Sequence, residues 1–192
     1  LPLARMRARG QLVELRQSDL AFTREESAAF FTMAIGLDLS PAQINKLEAQ
    51  TEGWITGLQL AALSLRARQD PTTLFYTFSG EHEFIADYLT EEVLASLSQA
   101  ERTFLLHTSL LERMCASLCE MVTGQPGAQS MLEKLLEANL FITPLDSNHT
   151  WFRYHPLFAD LLSKRLQEQK PGLLSELHFR ASRWYQENGL VD

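Results

Sequence analysis

The sequence predicts a mainly α-helical protein: a helical subdomain, then a winged helix made of three helices plus a β-hairpin, then a C-terminal helix. Three observations predict it. Helix-start signals recur, with Thr23 and Glu26, and again Ser98 and Glu101, spaced as capping boxes. In such a box a hydroxyl accepts from the third backbone N–H and the carboxylate returns to the cap's own N–H. Apolar residues fall at helical spacing, as in Ile85, Leu89, Val93 and Leu97. The pattern then turns strand-like at Leu140 and helical again at Pro156.

Residues 1 to 10 are irregularly patterned but basic, with Arg5, Arg7 and Arg9 and no acid, and Leu12-Val13-Glu14-Leu15 reads as a short strand. Thr23 opens a helix to about Gly36. Ser40-Pro41 opens another that ends near Gly53, with Ser as cap and Pro at the first helical position, where its missing N–H costs nothing. From Trp54 to Leu65 apolar residues cover most of the helix circumference, which predicts a helix enclosed by others and ended by Asp70-Pro71. The stripe from Ile85 to Leu97, with Tyr88 beside it, faces a core.

Three short helical patterns follow at 99 to 108, 116 to 123 and 127 to 139, the last with Leu132, Leu135 and Leu136 on one face. Leu140 to Leu145 and Thr150 to His155 read as two strands around the turn residues Asp146-Ser147-Asn148. Pro156 starts a helix with Leu157, Phe158, Leu161, Leu162 and Leu166 inward, and Pro171-Gly172 separates it from one carrying Leu177, Ala181 and Trp184. No repeat of 20 to 50 residues is evident.

The 192 residues are 45% hydrophobic and 21% charged, a globular composition with length for one large or two small cores. Apolar runs are only a few residues long, far below the roughly 18 that span a bilayer, so no membrane partner is expected. No secretory signal is visible, and a first residue of Leu1 reads as a segment cut from something longer. Cys115 and Cys119, four apart, fit a reducing compartment, and the cytoplasm is the expected location. The net charge of -7 argues against a surface that gathers nucleic-acid phosphates.

Five stretches, in order, resemble a known family. They are Leu1-Pro2-Leu3-Ala4-Arg5 through Glu14-Leu15-Arg16 with Asp19-Leu20; Thr51-Glu52-Gly53-Trp54 through Gly57-Leu58-Gln59-Leu60-Ala61-Ala62-Leu63; and Asp87-Tyr88-Leu89 with Glu91-Glu92-Val93-Leu94. Phe104-Leu105-Leu106 with Thr108-Ser109, and Asn139-Leu140-Phe141 through Arg153-Tyr154-His155-Pro156-Leu157-Phe158, complete the set. The chain resembles the signal-transducing (STAND) ATP-dependent transcriptional activators of the LuxR group.

The resemblance implies a multi-domain switch with a phosphate-loop ATPase, a helical lid, a winged helix, a superhelical sensor and a C-terminal DNA reader. Residues 1–22 would end the ATPase domain, 23–97 form the lid, 98–170 the winged helix, and 171–192 a helix leading into the sensor. The implied cofactor is ATP or ADP with Mg in the full-length protein. None is expected to bind tightly to this segment alone, since no Gly-x-x-x-x-Gly-Lys-Ser/Thr string is present, and no catalysis is expected of it. Implied partners are the protein's own ATPase and sensor domains, neighbouring protomers on activation, and, through other domains, a small-molecule inducer and promoter DNA.

His155 ends a strand and precedes Pro156, where a helix N-terminus offers positive dipole and N–H groups to an anion. The resemblance implies contact with the diphosphate of bound ADP; the alternative is a histidine capping its own helix. Gly57-Leu58-Gln59 falls where related switch ATPases place a Gly-x-Pro element against adenine, with Gln59 replacing the proline. Gly57 serves either close approach of that ring or plain helix packing. Cys115 and Cys119 supply at most half a zinc site and are read as core thiols, and no nucleophile and base pair stands out.

The competing function is a winged helix that binds DNA directly. Its third helix, from Ala128 to Asn139, carries Glu133 and Glu137 against Lys134, where a groove reader brings several cations. Residues 98 to 170 hold eight acids and seven bases. The regulatory reading is therefore preferred.

Overall fold

Several helices in this protein begin where a capping side chain satisfies N–H groups of the first turn. The computed structural model describes residues 2–13, 15, 17–66, 78–80 and 82–190. The chain divides into two compact units, Leu1–Leu63 and Ser64–Asp192. In the first, Thr23 Oγ1 accepts from the Glu26 N–H and Glu26 Oε2 accepts from the Thr23 N–H, the reciprocal pair that starts α3, Arg24–Ile35. Ser40 and Gln43 form a second such pair at the head of α4, Pro41–Thr51. Helices α3 and α4 pack together, with Phe31, Ile44 and Leu47 buried and Phe30 edge-on to both Phe22 and Phe31.

Two sequence expectations fail in this unit. Residues Leu12, Val13 and Leu15 form no strand; instead the short helices α1, Leu3–Ala8, and α2, Gln17–Leu20, lie either side of them. A strand needs a neighbouring strand for its backbone groups, and Val13 is 87% exposed. Helix α5, Ile55–Arg66, buries Leu58, Ala61, Ala62 and Leu65 but leaves Ile55, Gln59 and Leu63 exposed at four-residue intervals, so it is amphipathic rather than enclosed. The Asp70-Pro71 stop lies outside the described residues.

The first described helix lying wholly in the second unit is α6, Glu83–Tyr88, which widens into a π-turn over Leu89–Val93 and tightens into a 3-10 turn over Leu94–Ser96. One continuous α-helix would not serve the stripe. Residues four apart drift about 40° per step around a helix of 3.6 residues per turn, and a wider turn reduces that drift. Ile85, Leu89, Val93 and Leu97 are accordingly all buried.

Next come α7, Gln99–Thr108, α8, Ala116–Thr123, and α9, Ala128–Glu137. A hairpin of β1, Ile142–Pro144, and β2, Phe152–Tyr154, follows, in register Ile142 to Tyr154 and Pro144 to Phe152. The strands are shorter than predicted but centred where predicted. Met114 adds an antiparallel bridge, its N–H and C=O exchanging 2.8 Å hydrogen bonds with Phe152. Helix α10, Pro156–Gln169, packs on α7, and after a 3-10 turn at Pro171–Leu173 helix α11, Leu174–Glu187, packs on α8. The fold is mainly α, with a winged helix and a C-terminal helix, and among the described residues no helix is long and apolar enough to cross a membrane.

The wing turn has a specific cause that composition did not show. Asp146 Oδ1 accepts from the amides of Asn148 and Thr150, and Oδ2 from that of Trp151 at 2.7 Å. These bonds, the Thr150 amide first, hold the Asp146 carboxyl below its ordinary range. A lowered folded pKa means the turn is favoured above the ordinary carboxylate range and loses that support as pH falls through the lowered value. Asp146→Ala is expected to speed hydrogen exchange at the Asn148, Thr150 and Trp151 amides while α7 to α9 keep their protection. Unchanged exchange at all three would remove the carboxylate from this role.

Candidate regulatory site at the winged helix

His155 occupies the N-cap of α10 with extended backbone, as the strand-to-helix reading requires. Its N–H donates to the Phe141 carbonyl at 2.8 Å, and its carbonyl accepts from Phe158 and Ala159, closing the first turn. The side chain makes no capping hydrogen bond, so capping its own helix is not what the imidazole does. The ring is buried, 1% exposed, edge-on to Phe141 with centroids 5.7 Å apart.

The neighbouring residues build a rigid support. Phe141 also stacks obliquely on Phe158. Tyr154, buried on β2, shares a 2.7 Å hydrogen bond with the Thr108 hydroxyl, which itself donates to the Phe104 carbonyl. Burial pushes the Tyr154 phenol up, so it stays a neutral donor and ties the hairpin to the end of α7. Both residues lie in stretches that carried the family resemblance. Gly80 sits against the first turn of α10 on another side: its N–H donates to Asp160 Oδ2 at 3.2 Å, and its backbone abuts the Leu157 carbonyl.

The Gly57-Leu58-Gln59 element lies in the first unit, on α5. Consecutive helical residues fan out by about 100° each, so three in a row cannot share a face. Gly57 and Leu58 are buried and Gln59 is exposed. A flat ring does approach Gly57, but it is the indole of this chain's own Trp54. A Cβ added at Gly57 would lie 2.7 Å from Trp54 Cε3 and 3.3 Å from Thr51 Cγ2. In the first unit Gln59 is the exposed member of this element, and in the second unit His155 is buried.

The third helix presents Gln129, Ser130, Glu133 and Glu137 to solvent, and Lys134 is engaged by Glu101 at 2.9 Å. Glu101 is nearly buried; hydrogen bonds from the Ser98 hydroxyl first, then Lys134, hold its carboxyl down to about 2. The carboxylate that caps α7 therefore also takes up the lysine of α9. Cys115 and Cys119 are both free and buried, and burial pushes the Cys119 thiol up to about 12, well into the inert range. Among the described residues no three potential metal ligands cluster.

Comparison with known proteins agrees with this architecture. Residues 90–174 match the MalT winged helix domain family. Over 195 residues the chain is 35% identical to the HTH-type transcriptional regulator MalT of Cronobacter sakazakii, covering 98% of this chain and 21% of that protein. The MalT of Klebsiella pneumoniae is likewise 35% identical over 193 residues, again 98% of this chain and 21% of that protein. The serine/threonine-protein kinase PknK of Mycobacterium tuberculosis is 39% identical over 191 residues, 100% of this chain and 17% of that kinase. The chain thus spans about a fifth of the length of the curated relatives it matches.

Proposed function

From a chain whose residues 90–174 form a winged-helix domain of the MalT type, we propose that it is the regulatory middle of a nucleotide-switched, inducer-responsive bacterial transcriptional activator. In this reading residues 23–97 act as a helical lid and 98–170 as the winged helix. Together they help an ATPase domain hold ADP or ATP and control association with neighbouring protomers. The observation that carries it is α9. A winged helix whose third helix is acidic, with its one lysine engaged by Glu101, is built to meet protein rather than phosphate backbone. The inducer and promoter DNA would be met by other domains, in the cytoplasm.

Direct DNA binding is the alternative, and salt dependence separates the two. An affinity for duplex DNA that falls steeply with salt reports several phosphate contacts and would favour the alternative; binding absent at low salt supports the regulatory reading. The identity with PknK favours one further variant, in which the same regulatory segment controls a kinase instead of a DNA reader. Phosphorylation of protein by the full-length gene product, in place of promoter binding, would decide for it.

The nucleotide part of the reading has a structural condition. With its ring covered, His155 reaches a phosphate only if its cover, Phe141 included, moves aside. A contact made only in the ADP-bound closed state stabilises that state by its differential affinity. In the full-length protein His155→Ala is expected to weaken ADP binding by roughly ten- to hundredfold, the worth of one hydrogen bond to a charged group, and to lower the inducer needed for activation. His178→Ala, an exposed position on α11, is the control. Unchanged ADP affinity in a folded His155→Ala protein would make His155 a core residue only.

A further inference from the structure

We propose that the groove between the π-turn and helices α7 and α10 is a binding site for a small organic oxyanion, held by Arg102 and Arg165. The groove has a volume of about 400 Å³ and is lined by Thr90, Leu94, Gln99, Arg102, Leu162 and Arg165 among others. It lies wholly within the second unit and is independent of which output the parent protein controls. The regulatory reading above does not use it.

Both guanidiniums are positioned by the chain but left without counter-charge. Arg102 Nη2 donates to the carbonyl of Ala95, in the 3-10 turn, at 2.9 Å. Arg165 Nη2 donates at 2.5 Å to the hydroxyl of Thr90 in the π-turn, which itself donates to the Ala86 carbonyl of α6. Each arginine therefore spends a single one of its five donors on fixing its position. Among the described residues no carboxylate lines the groove and neither arginine forms an ion pair. Two like charges facing one groove repel unless an anion lies between them.

The Nε–H of Arg102 supplies a second, independent observation. It is buried and finds no acceptor among the described residues. A buried donor left unpaired is costly, and native structures rarely keep one without a reason. The edge of a guanidinium is the fork that meets a carboxylate or phosphate through two parallel hydrogen bonds. An oxyanion in the groove would be met by the Nη donors of both arginines and, once the Arg102 side chain turns enough to uncover it, by that Nε–H, and would neutralise both cations. Leu94, Leu106 and Leu162 give the groove an apolar wall, which suits an organic body behind the charged head. The π-turn fits the same picture, since such turns occur often at functional sites.

The test is a titration of the full chain with inorganic phosphate and, separately, with malonate, at ionic strength held constant with sodium chloride. The readout is the pair of Arg102 and Arg165 Nε–H signals in proton–nitrogen correlation spectra. A saturable shift is expected, with a dissociation constant raised about tenfold or more by Arg102→Gln and by Arg165→Gln. Arg183→Gln, which breaks an exposed ion pair with Glu187 on α11, should leave it unchanged. Saturation by phosphate alone identifies a phosphorylated ligand, and saturation by malonate alone a carboxylate. Should Arg102→Gln not fold, the wild-type titration and Arg165→Gln decide. Linear shifts equal to those produced by chloride, or saturation unaltered in the folded variants, would overturn the proposal.

Discussion

Gly80→Ala is expected to destabilise the second unit by about 2 to 4 kcal/mol, although glycine-to-alanine changes in tolerant positions usually stabilise. The reason is backbone proximity. A Cβ at residue 80 would stand 1.7 Å from the Leu157 carbonyl oxygen, 2.6 Å from its carbon and 3.0 Å from Asp160 Cβ. Carbonyls inside a hydrogen-bonded helix do not swing away as a flexible side chain does, so the segment must leave α10. It would take with it the hydrogen bond from the Gly80 N–H to the Asp160 carboxylate and the burial of Phe78, which is 5% exposed. Urea unfolding gives the free energy, and hydrogen exchange shows whether the loss begins at the head of α10, beside His155. A variant as stable as the parent, with the same denaturant slope, would mean that Gly80 does not lie against Leu157 in solution.

Phe152→Ala is expected to cost about 3 to 5 kcal/mol, the range for emptying a fully buried aromatic site. Phe152 is 0% exposed and holds the centre of the wing, paired with Pro144 on β1 and bonded in both directions to Met114. Against a total stability of about 5 to 15 kcal/mol for an ordinary domain, that loss leaves little margin. Phe152→Leu keeps most of the volume and should cost under about 1.5 kcal/mol. Chemical denaturation of both variants checks the order. A Phe152→Ala loss no larger than that of Phe152→Leu would mean that the wing does not depend on this ring.

The helix starts were legible in the sequence because their cause is local. Thr23 with Glu26 and Ser98 with Glu101 need only three residues of chain to close their hydrogen bonds, and each sits where predicted. The hairpin was legible for a related reason, since alternation on either side of Asp146-Ser147-Asn148 admits few other pairings. The position of His155 between strand and helix followed from its proline neighbour. Three short helical patterns followed by that hairpin spelled a winged helix, which the match over residues 90–174 bears out.

What tertiary structure decided is who covers whom. Four-residue spacing in Ile85 to Leu97 could not announce a π-turn, because the turn adjusts to the core it faces. Apolar count around α5 could not say that Ile55 and Leu63 stay exposed, nor that Trp54 rather than a ligand would lie on Gly57. His155 read as an available ligand at a helix start, and packing buried it beside Phe141; Arg102 and Arg165, 63 positions apart in the sequence, drew no notice until folding placed them on one groove. Hydrogen bonds closed within a few residues are fixed by the sequence that makes them, whereas burial depends on segments that meet only after the chain has folded.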